Sequence, residues 1–114
     1  MPYVHGAVIP VPTASRDAYI AKSGEMAAIF RDHGALKVVD CWGTDVPPGK
    51  VTSFPMAVQC NDDETVVFSW MIWPSKEVAD AGMQAAMSDA RMGHDMPFDA
   101  SRMIFGGFEM VLDL

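Results

Sequence analysis

Cysteine is scarce in this chain. Only two of the 114 residues are cysteines, Cys41 and Cys60, and their spacing excludes a CxxC metal or redox motif. Two cysteines cannot form the disulfide framework of small secreted domains. The first residues also lack the charged start and apolar stretch of a signal peptide. We therefore expect reduced thiols and a cytoplasmic location.

Basic residues are few and scattered. Eight Lys and Arg stand against 15 Asp and Glu, which gives a net charge of −7, and no two basic residues are adjacent. Phosphate binding depends on clustered Lys and Arg, so we expect no nucleic acid partner. No apolar run approaches the ~18 residues of a membrane span, so we expect no membrane insertion. Half of the chain is hydrophobic, which predicts one folded domain over residues 1–114.

Periodicity predicts the elements of the first half of the chain. Alternation predicts a strand over 3–10, with Tyr3, His5, Ala7 and Ile9 on one face. Pro10 and Pro12 are expected to end this strand, because proline has no amide proton to donate. Helical spacing from Tyr19 to Phe30 predicts a helix that begins near Ser15 and ends at Gly34. Residues 35–42 form the next predicted strand.

The second half is predicted to hold three further strands and one helix. Residues 43–53 contain Pro47, Pro48 and Gly49 and are expected to form a loop. Residues 54–60 and 65–73 resemble a hairpin with a polar turn. A helix follows Pro74 and Ser75, and 103–112 is the last strand. Gly106 and Gly107 in that strand indicate a bulge or a close backbone approach.

This order predicts an α+β fold, a ferredoxin-like βαββαβ sandwich with one extra hairpin strand. Right-handed crossovers place both helices on the same face of the sheet. Strands 65–73 and 103–112 carry large apolar residues at odd and at even positions alike. Alternate side chains of a strand point to opposite faces, so the second face of the sheet is predicted to be apolar too. Monomers rarely expose several hundred Å² of contiguous apolar surface. We therefore predict a homodimer in which two sheets pack face to face as a dimeric α+β barrel.

Several blocks of the sequence resemble the YbaA-like family of bacterial domains of unknown function. The blocks occur in order over almost the whole chain, at 30–36, 49–55, 66–70, 73–75, 96–99 and 102–109. The resemblance implies a dimeric α+β barrel, in agreement with the fold predicted from the residues. It implies no reaction, because the family is named for lacking one.

Two residues are candidates for acid–base catalysis. His33 stands at the end of the first helix, where an imidazole can serve in proton transfer or simply complement the helix dipole. Asp40 lies between Val38 and Trp42 on an apolar strand face. A carboxylate there is either exposed, paired with Arg102 or Lys37, or buried with a raised pKa that suits catalysis.

Four residues are candidates for ligand binding. Arg102 could contact an anion or a carbonyl, while Trp42 and Trp70 could line an aromatic pocket or fill the core. His5 is a candidate ligand contact or a hydrogen-bonded interior histidine. The histidines have no metal-type spacing, so we expect neither a metal nor a cofactor.

The sequence leaves two functions open and does not decide whether the protein is an enzyme. The first is a small homodimer that binds or transforms a small apolar or aromatic molecule in a cleft between sheet and helices. The alternative is a binding or assembly module without turnover.

Overall fold

The computed structural model describes residues 1–114 and has a mixed α+β fold, as predicted. Four strands and three helices follow one another along the chain: β1 (Tyr3–Pro12), α1 (Arg16–Asp32), β2 (Lys37–Trp42), α2 (Phe54–Ala57), β3 (Glu64–Trp73), α3 (Lys76–Met87) and β4 (Ile104–Glu109). The strands form one antiparallel sheet in the order β2-β3-β1-β4. None of the helices is long and apolar enough to cross a membrane.

The first strand continues beyond the prolines that were expected to end it. β1 pairs with β3 over its whole length, to Pro12 opposite Glu64. On its other side β4 pairs with it only as far as Val8. Pro10 and Pro12 therefore lie where β1 has lost one neighbour, and proline is tolerated at such an edge. The expected end at Pro10 was wrong for this reason.

Both long helices begin or end as the sequence indicates. α1 ends at Asp32 and is followed by His33 and by Gly34, whose φ of 113° lies in the left-handed region that favours glycine. The backbone N–H of Val78 donates to Oγ of Ser75 over 3.1 Å, so Ser75 is the N-cap of α3.

The predicted strand over 54–60 is wrong. Residues 54–57 form the short helix α2 instead, because Oγ of Ser53 accepts from the N–H of Met56 over 3.1 Å and Pro55 stands in its first turn. A serine cap followed by proline favours a helical turn over an extended strand. The extra hairpin strand is therefore absent, and the sheet has four strands.

The main core lies between the sheet and the helices α1 and α3. Trp73 of β3 is fully buried there and closes over α3 at Gly82. The larger buried cluster around it contains Ile29, Phe30, Ala35, Trp73, Ala79, Ala86 and Met92. A second cluster near the other end of the sheet contains Ile9, Val11, Tyr19 and Val67. The two helices thus cover one face of the sheet, as predicted.

We call the opposite face of the sheet the open face. Strand alternation and register assign it Val4, Gly6, Val8, Pro10, Pro12, Lys37, Val39, Cys41, Glu64, Val66, Phe68, Trp70, Ile72, Ile104, Gly106 and Phe108. Val58 and Cys60 cover the part around Val8 and Val66, and the ring of Phe54 packs against Phe68. Phe68 is 46% exposed and Phe108 is 60% exposed.

Gly106 and Gly107 mark a close approach and not a bulge. The pairing of β4 with β1 continues without interruption through both glycines, with Gly106 opposite Gly6 and Gly107 opposite His5. The hydroxyl of Tyr3 lies where a Cβ of Gly107 would stand. A side chain at position 107 would therefore displace Tyr3.

Candidate functional site

The predicted catalytic residue His33 lies in a charged cluster that joins the ends of α1 and α3. Nε2 of His33 is 2.9 Å from Oδ2 of Asp89. Asp89 also accepts from the backbone N–H of Arg91 at 2.9 Å and from its Nε at 3.0 Å. Arg91 reaches back to Asp32 over 2.9 Å. We call these four residues the helix-end cluster.

Electrostatics in the helix-end cluster fix the state of the carboxylate. The Arg91 guanidinium, and after it the hydrogen bond with His33, hold the pKa of Asp89 well below its usual range. An ionised carboxylate only accepts hydrogen bonds, so Nε2 of His33 carries the proton in this contact. This hydrogen bond fixes the orientation of the imidazole. A fixed imidazole suits acid–base chemistry, but the same bond can also serve only to hold the ends of α1 and α3 together.

A wide surface depression of about 400 Å³ lies beside His33. Its other lining residues belong to α3 and are Glu77, Val78, Ala81, Gly82 and Ala85. The depression lies on the surface near the end of α1, and neither Asp40 nor Arg102 reaches it. Of these three candidates, only His33 therefore borders this depression.

Asp40 pairs with neither Arg102 nor Lys37, which were its expected partners. Its Oδ1 accepts a hydrogen bond of 3.0 Å from the hydroxyl of Tyr19. Tyr19 is 3% exposed, and burial raises the pKa of its hydroxyl far above the ordinary value. Tyr19 remains a protonated donor at every physiological pH, and Asp40 anchors it from an exposed position on the edge strand β2.

His33 and Asp40 are not brought together. Tyr19, the partner of Asp40, and His33 are 14 residues apart along α1, which at 1.5 Å per residue separates them by about 21 Å. The depression that His33 lines is accordingly not lined by Asp40. Their catalytic roles remain a prediction, but they would have to be separate roles.

The guanidinium of Arg102 is engaged on all sides. It donates to both carboxylate oxygens of Glu64, over 2.7 and 2.6 Å, and to Asp99 over 3.0 Å. A further bond of 2.9 Å reaches the carbonyl of Gln59. Glu64 is only 6% exposed, and the bond from Arg102 lowers the pKa of its carboxyl. Arg102 thus ties the start of β3 to the segment before β4.

His5 is buried against aromatic rings on the helix-covered face. The indole N–H of Trp73 donates to its Nδ1 over 3.1 Å, and the rings of Tyr3 and Phe105 lie 5.6 and 5.2 Å from the imidazole. Burial lowers the pKa of His5. The neutral ring therefore has its proton on Nε2.

The two predicted pocket tryptophans lie on opposite faces of the sheet. Trp42 shares the helix-covered face with Val67, and the guanidinium of Arg16 lies 5.7 Å from its ring centre. Trp70 is on the open face, where it packs 5.5 Å from Phe68. They cannot line one pocket.

An apolar groove on the open face was not predicted residue by residue. It has a volume of about 220 Å³ and is lined by Gly6, Ala7, Val8, Phe68, Ile104, Phe105, Gly106 and Phe108. We call it the open-face groove. The large apolar residues of β3 and β4 indicated an apolar sheet face. That Gly6 lies directly opposite Gly106 follows only from the strand register, which the sequence does not give.

The structure brings together no group of three or more His, Cys, Asp or Glu side chains that could hold a metal ion. Cys60 is partly buried, and this burial raises the pKa of its thiol. A raised pKa leaves the thiol protonated and unreactive near neutral pH.

Two comparisons with known proteins agree with the resemblance described above. A family model described as "Protein of unknown function (DUF1428)" matches residues 2–100. The "Uncharacterized protein YbaA" of Escherichia coli (strain K12) is 53% identical over 116 residues, which cover 99% of this chain and 99% of that protein. The protein of the same name from Shigella flexneri is equally similar.

Proposed function

Because the chain belongs to the DUF1428 family of proteins of unknown function, membership assigns no activity, and we propose a function from its geometry. The protein acts as a homodimeric binding module without turnover. Each subunit is a ferredoxin-like α+β sandwich, and the two open faces pack together as an α+β barrel.

The observation that carries this proposal is the near absence of charge on the open face. In a chain with 15 acidic residues, that face contains only Lys37 and Glu64. These two lie at opposite ends of the sheet, and Glu64 is already paired with Arg102. The centre carries the exposed rings of Phe68 and Phe108. Such a surface is typical of the centre of a protein–protein interface.

The dimensions of the open face suit a second copy. Four strands about 4.8 Å apart, with a mean length of roughly 26 Å, give a flat area of about 500 Å². The accessible area of a side-chain-covered face exceeds its flat projection. Stable interfaces bury about 800 Å² per partner, which the face and its rim can supply. Two such faces would pack about 10 Å apart, as sheets do in sandwiches.

The separation of the candidate catalytic residues His33 and Asp40, and of the candidate ligand contact Arg102, supports a role without turnover. Asp40 is bonded to Tyr19, Arg102 is saturated by Glu64 and Asp99, and His33 stands apart from both. Neither the depression beside His33 nor the open-face groove is lined by two of these three residues. General acid–base catalysis needs its groups within hydrogen-bond reach of the same substrate.

The mass of the protein in solution tests this proposal. Sedimentation at micromolar concentration should give about twice the 12.4 kDa of one chain. Phe108→Asp and Phe68→Asp should both give folded monomers, because each would bury an unpaired carboxylate in the interface. Leu36→Asp is the matched control, since Leu36 is also exposed but lies outside the open face, and it should remain dimeric. A monomeric wild type, or a dimeric Phe108→Asp, contradicts the proposal.

One observation favours an enzymatic alternative. His33 is oriented by Asp89 and borders a depression of about 400 Å³, as a general base would. This alternative keeps the predicted roles of His33 and Asp40. The double replacement of His33 and Asp40 without loss of an activity found for the wild type would exclude it.

A further inference from the structure

We propose that the open-face groove is a binding site for a neutral, planar aromatic molecule, completed by the same groove of the second copy. This inference rests on the proposed dimer. It differs from the expected cleft between sheet and helices, because it places the ligand between the two sheets.

Two facing glycines form the floor of the groove. Gly6 of β1 is directly opposite Gly106 of β4, so no side chain rises from the open face at this cross-strand pair. The ring of Phe108 lies across them: a Cβ would be 3.6 Å from this ring at Gly6 and 3.3 Å at Gly106. One side of the Phe108 ring therefore covers bare backbone, while the ring as a whole is 60% exposed.

Aromatic rings form the walls. Phe68 stands 5.5 Å from Trp70 and 6.0 Å from Phe54, so three rings are in contact at one side of the groove. Ile104 borders it on β4. Ring faces that are held in place but partly exposed favour a planar aromatic partner, which can stack or approach edge to face.

The lining determines the charge of the ligand. No Asp, Glu, Lys, Arg or His side chain lines the groove. A charged molecule would lose its hydration there without gaining a partner, which disfavours its binding. A neutral aromatic molecule loses little and removes apolar surface from water.

The size of the groove requires the second copy. One groove of about 220 Å³ is open to solvent and is smaller than an ordinary ligand pocket. Two grooves facing each other would enclose twice that volume, about 440 Å³, within the roughly 300–1,000 Å³ of small-molecule sites. The two copies would then supply Phe68 and Phe108 from both sides of the ligand.

Binding of 2-naphthol to the full chain tests the proposal. This probe is neutral at pH 7 and planar. Titration calorimetry should show saturable binding with no more than one or two molecules per dimer. Gly6→Val, which fills the floor of the groove, should weaken binding at least tenfold while the dimer mass is kept. Gly24→Ala is the matched control and should bind as the wild type does, because Gly24 has open space around it on α1.

The outcomes separate this inference from the dimer. A wild-type dimer without saturable binding, or with binding that Gly6→Val leaves unchanged, overturns the site and leaves the dimer intact. Equal binding by monomeric Phe108→Asp overturns the requirement for a second copy. A wild-type monomer that does not bind overturns both proposals. If Gly6→Val does not fold, Gly6→Ala replaces it and should weaken binding in the same direction.

Discussion

Trp73 and His5 are joined by a buried hydrogen bond from the indole N–H to Nδ1, 3.1 Å long. Trp73 is fully buried and His5 is 7% exposed. An indole is only a donor, so this bond requires an unprotonated Nδ1. Protonation of His5 would place two donors against each other in the core. The pair therefore makes the folded state sensitive to acid.

We predict that His5 contributes stability that is lost on acidification. Burial lowers its folded-state pKa below the ordinary 6.5, so between the two values the unfolded chain binds a proton that the folded chain does not. The contribution is complete above about pH 6.5 and falls as the pH drops through the folded-state pKa. In urea unfolding, wild type should lose more free energy of unfolding from pH 7.5 to 5 than His5→Gln, which does not titrate.

The matching substitution at neutral pH is His5→Phe. It leaves the Trp73 donor without an acceptor and should cost about 1–3 kcal/mol at pH 7.5. His5→Gln offers an amide oxygen to Trp73 and should cost less. If the wild type and His5→Gln lost the same free energy of unfolding between pH 7.5 and 5, His5 would not be the group that makes the fold sensitive to acid.

Two helical glycines should respond to alanine with opposite signs. A Cβ at Gly82 would collide with the ring of Trp73 and lie 2.5 Å from the carbonyl oxygen of His33. Gly82→Ala should therefore cost at least about 2 kcal/mol through overpacking. Gly24 meets nothing within 4 Å, so Gly24→Ala should gain about 0.5–1 kcal/mol from helix propensity. Urea midpoints that shift in the same direction would contradict this prediction.

Local patterns predicted much of the fold. Alternation placed Tyr3, His5, Ala7 and Ile9 on one face of β1, and the register confirms that these residues share the side of Trp73. The prediction failed at 54–60 because the apolar residues there carry no clear period. The N-cap formed by Ser53, together with Pro55 in the first turn, decided the local structure instead.

The contacts of the candidate site could not be predicted in the same way. Asp40 bonds to Tyr19, 21 residues away, and His33 lies against Asp89, 56 residues away. Neither contact leaves a mark in local spacing, because each depends on how α1 packs on the sheet and on α3. Arg102 was expected to contact a ligand, but its guanidinium forms an ion pair with the buried carboxylate of Glu64.

Replacing Glu64 should test its clamp with Arg102. The bond from Arg102 lowers the folded-state pKa of Glu64 below its ordinary 4.5, so its contribution is present above about pH 4.5 and is lost as the pH falls through the folded value. Glu64→Gln should lose about 1.5–3 kcal/mol at pH 7, as expected for hydrogen bonds to a charged group. The difference from wild type should shrink at pH 3.

The neighbouring acid provides the control for this clamp. Asp63 is exposed, and its side chain makes no ion pair, so Asp63→Asn should change stability by less than about 0.5 kcal/mol. Equal effects of Glu64→Gln and Asp63→Asn at pH 7 would show that Arg102 does not stabilise the fold through Glu64.

The carboxyl of Asp89 should titrate well below the ordinary aspartate value of 3.8. Arg91 supplies several donors and His33 only one, so Arg91→Gln should raise the pKa of Asp89 more than His33→Gln does. Carbon-detected NMR titration of the carboxyl resonances measures all three proteins. An Asp89 that titrates near 3.8 in the wild type would mean that the helix-end cluster does not form in solution. The carboxylate would then not orient His33, and the enzymatic alternative would be left with only the depression beside His33.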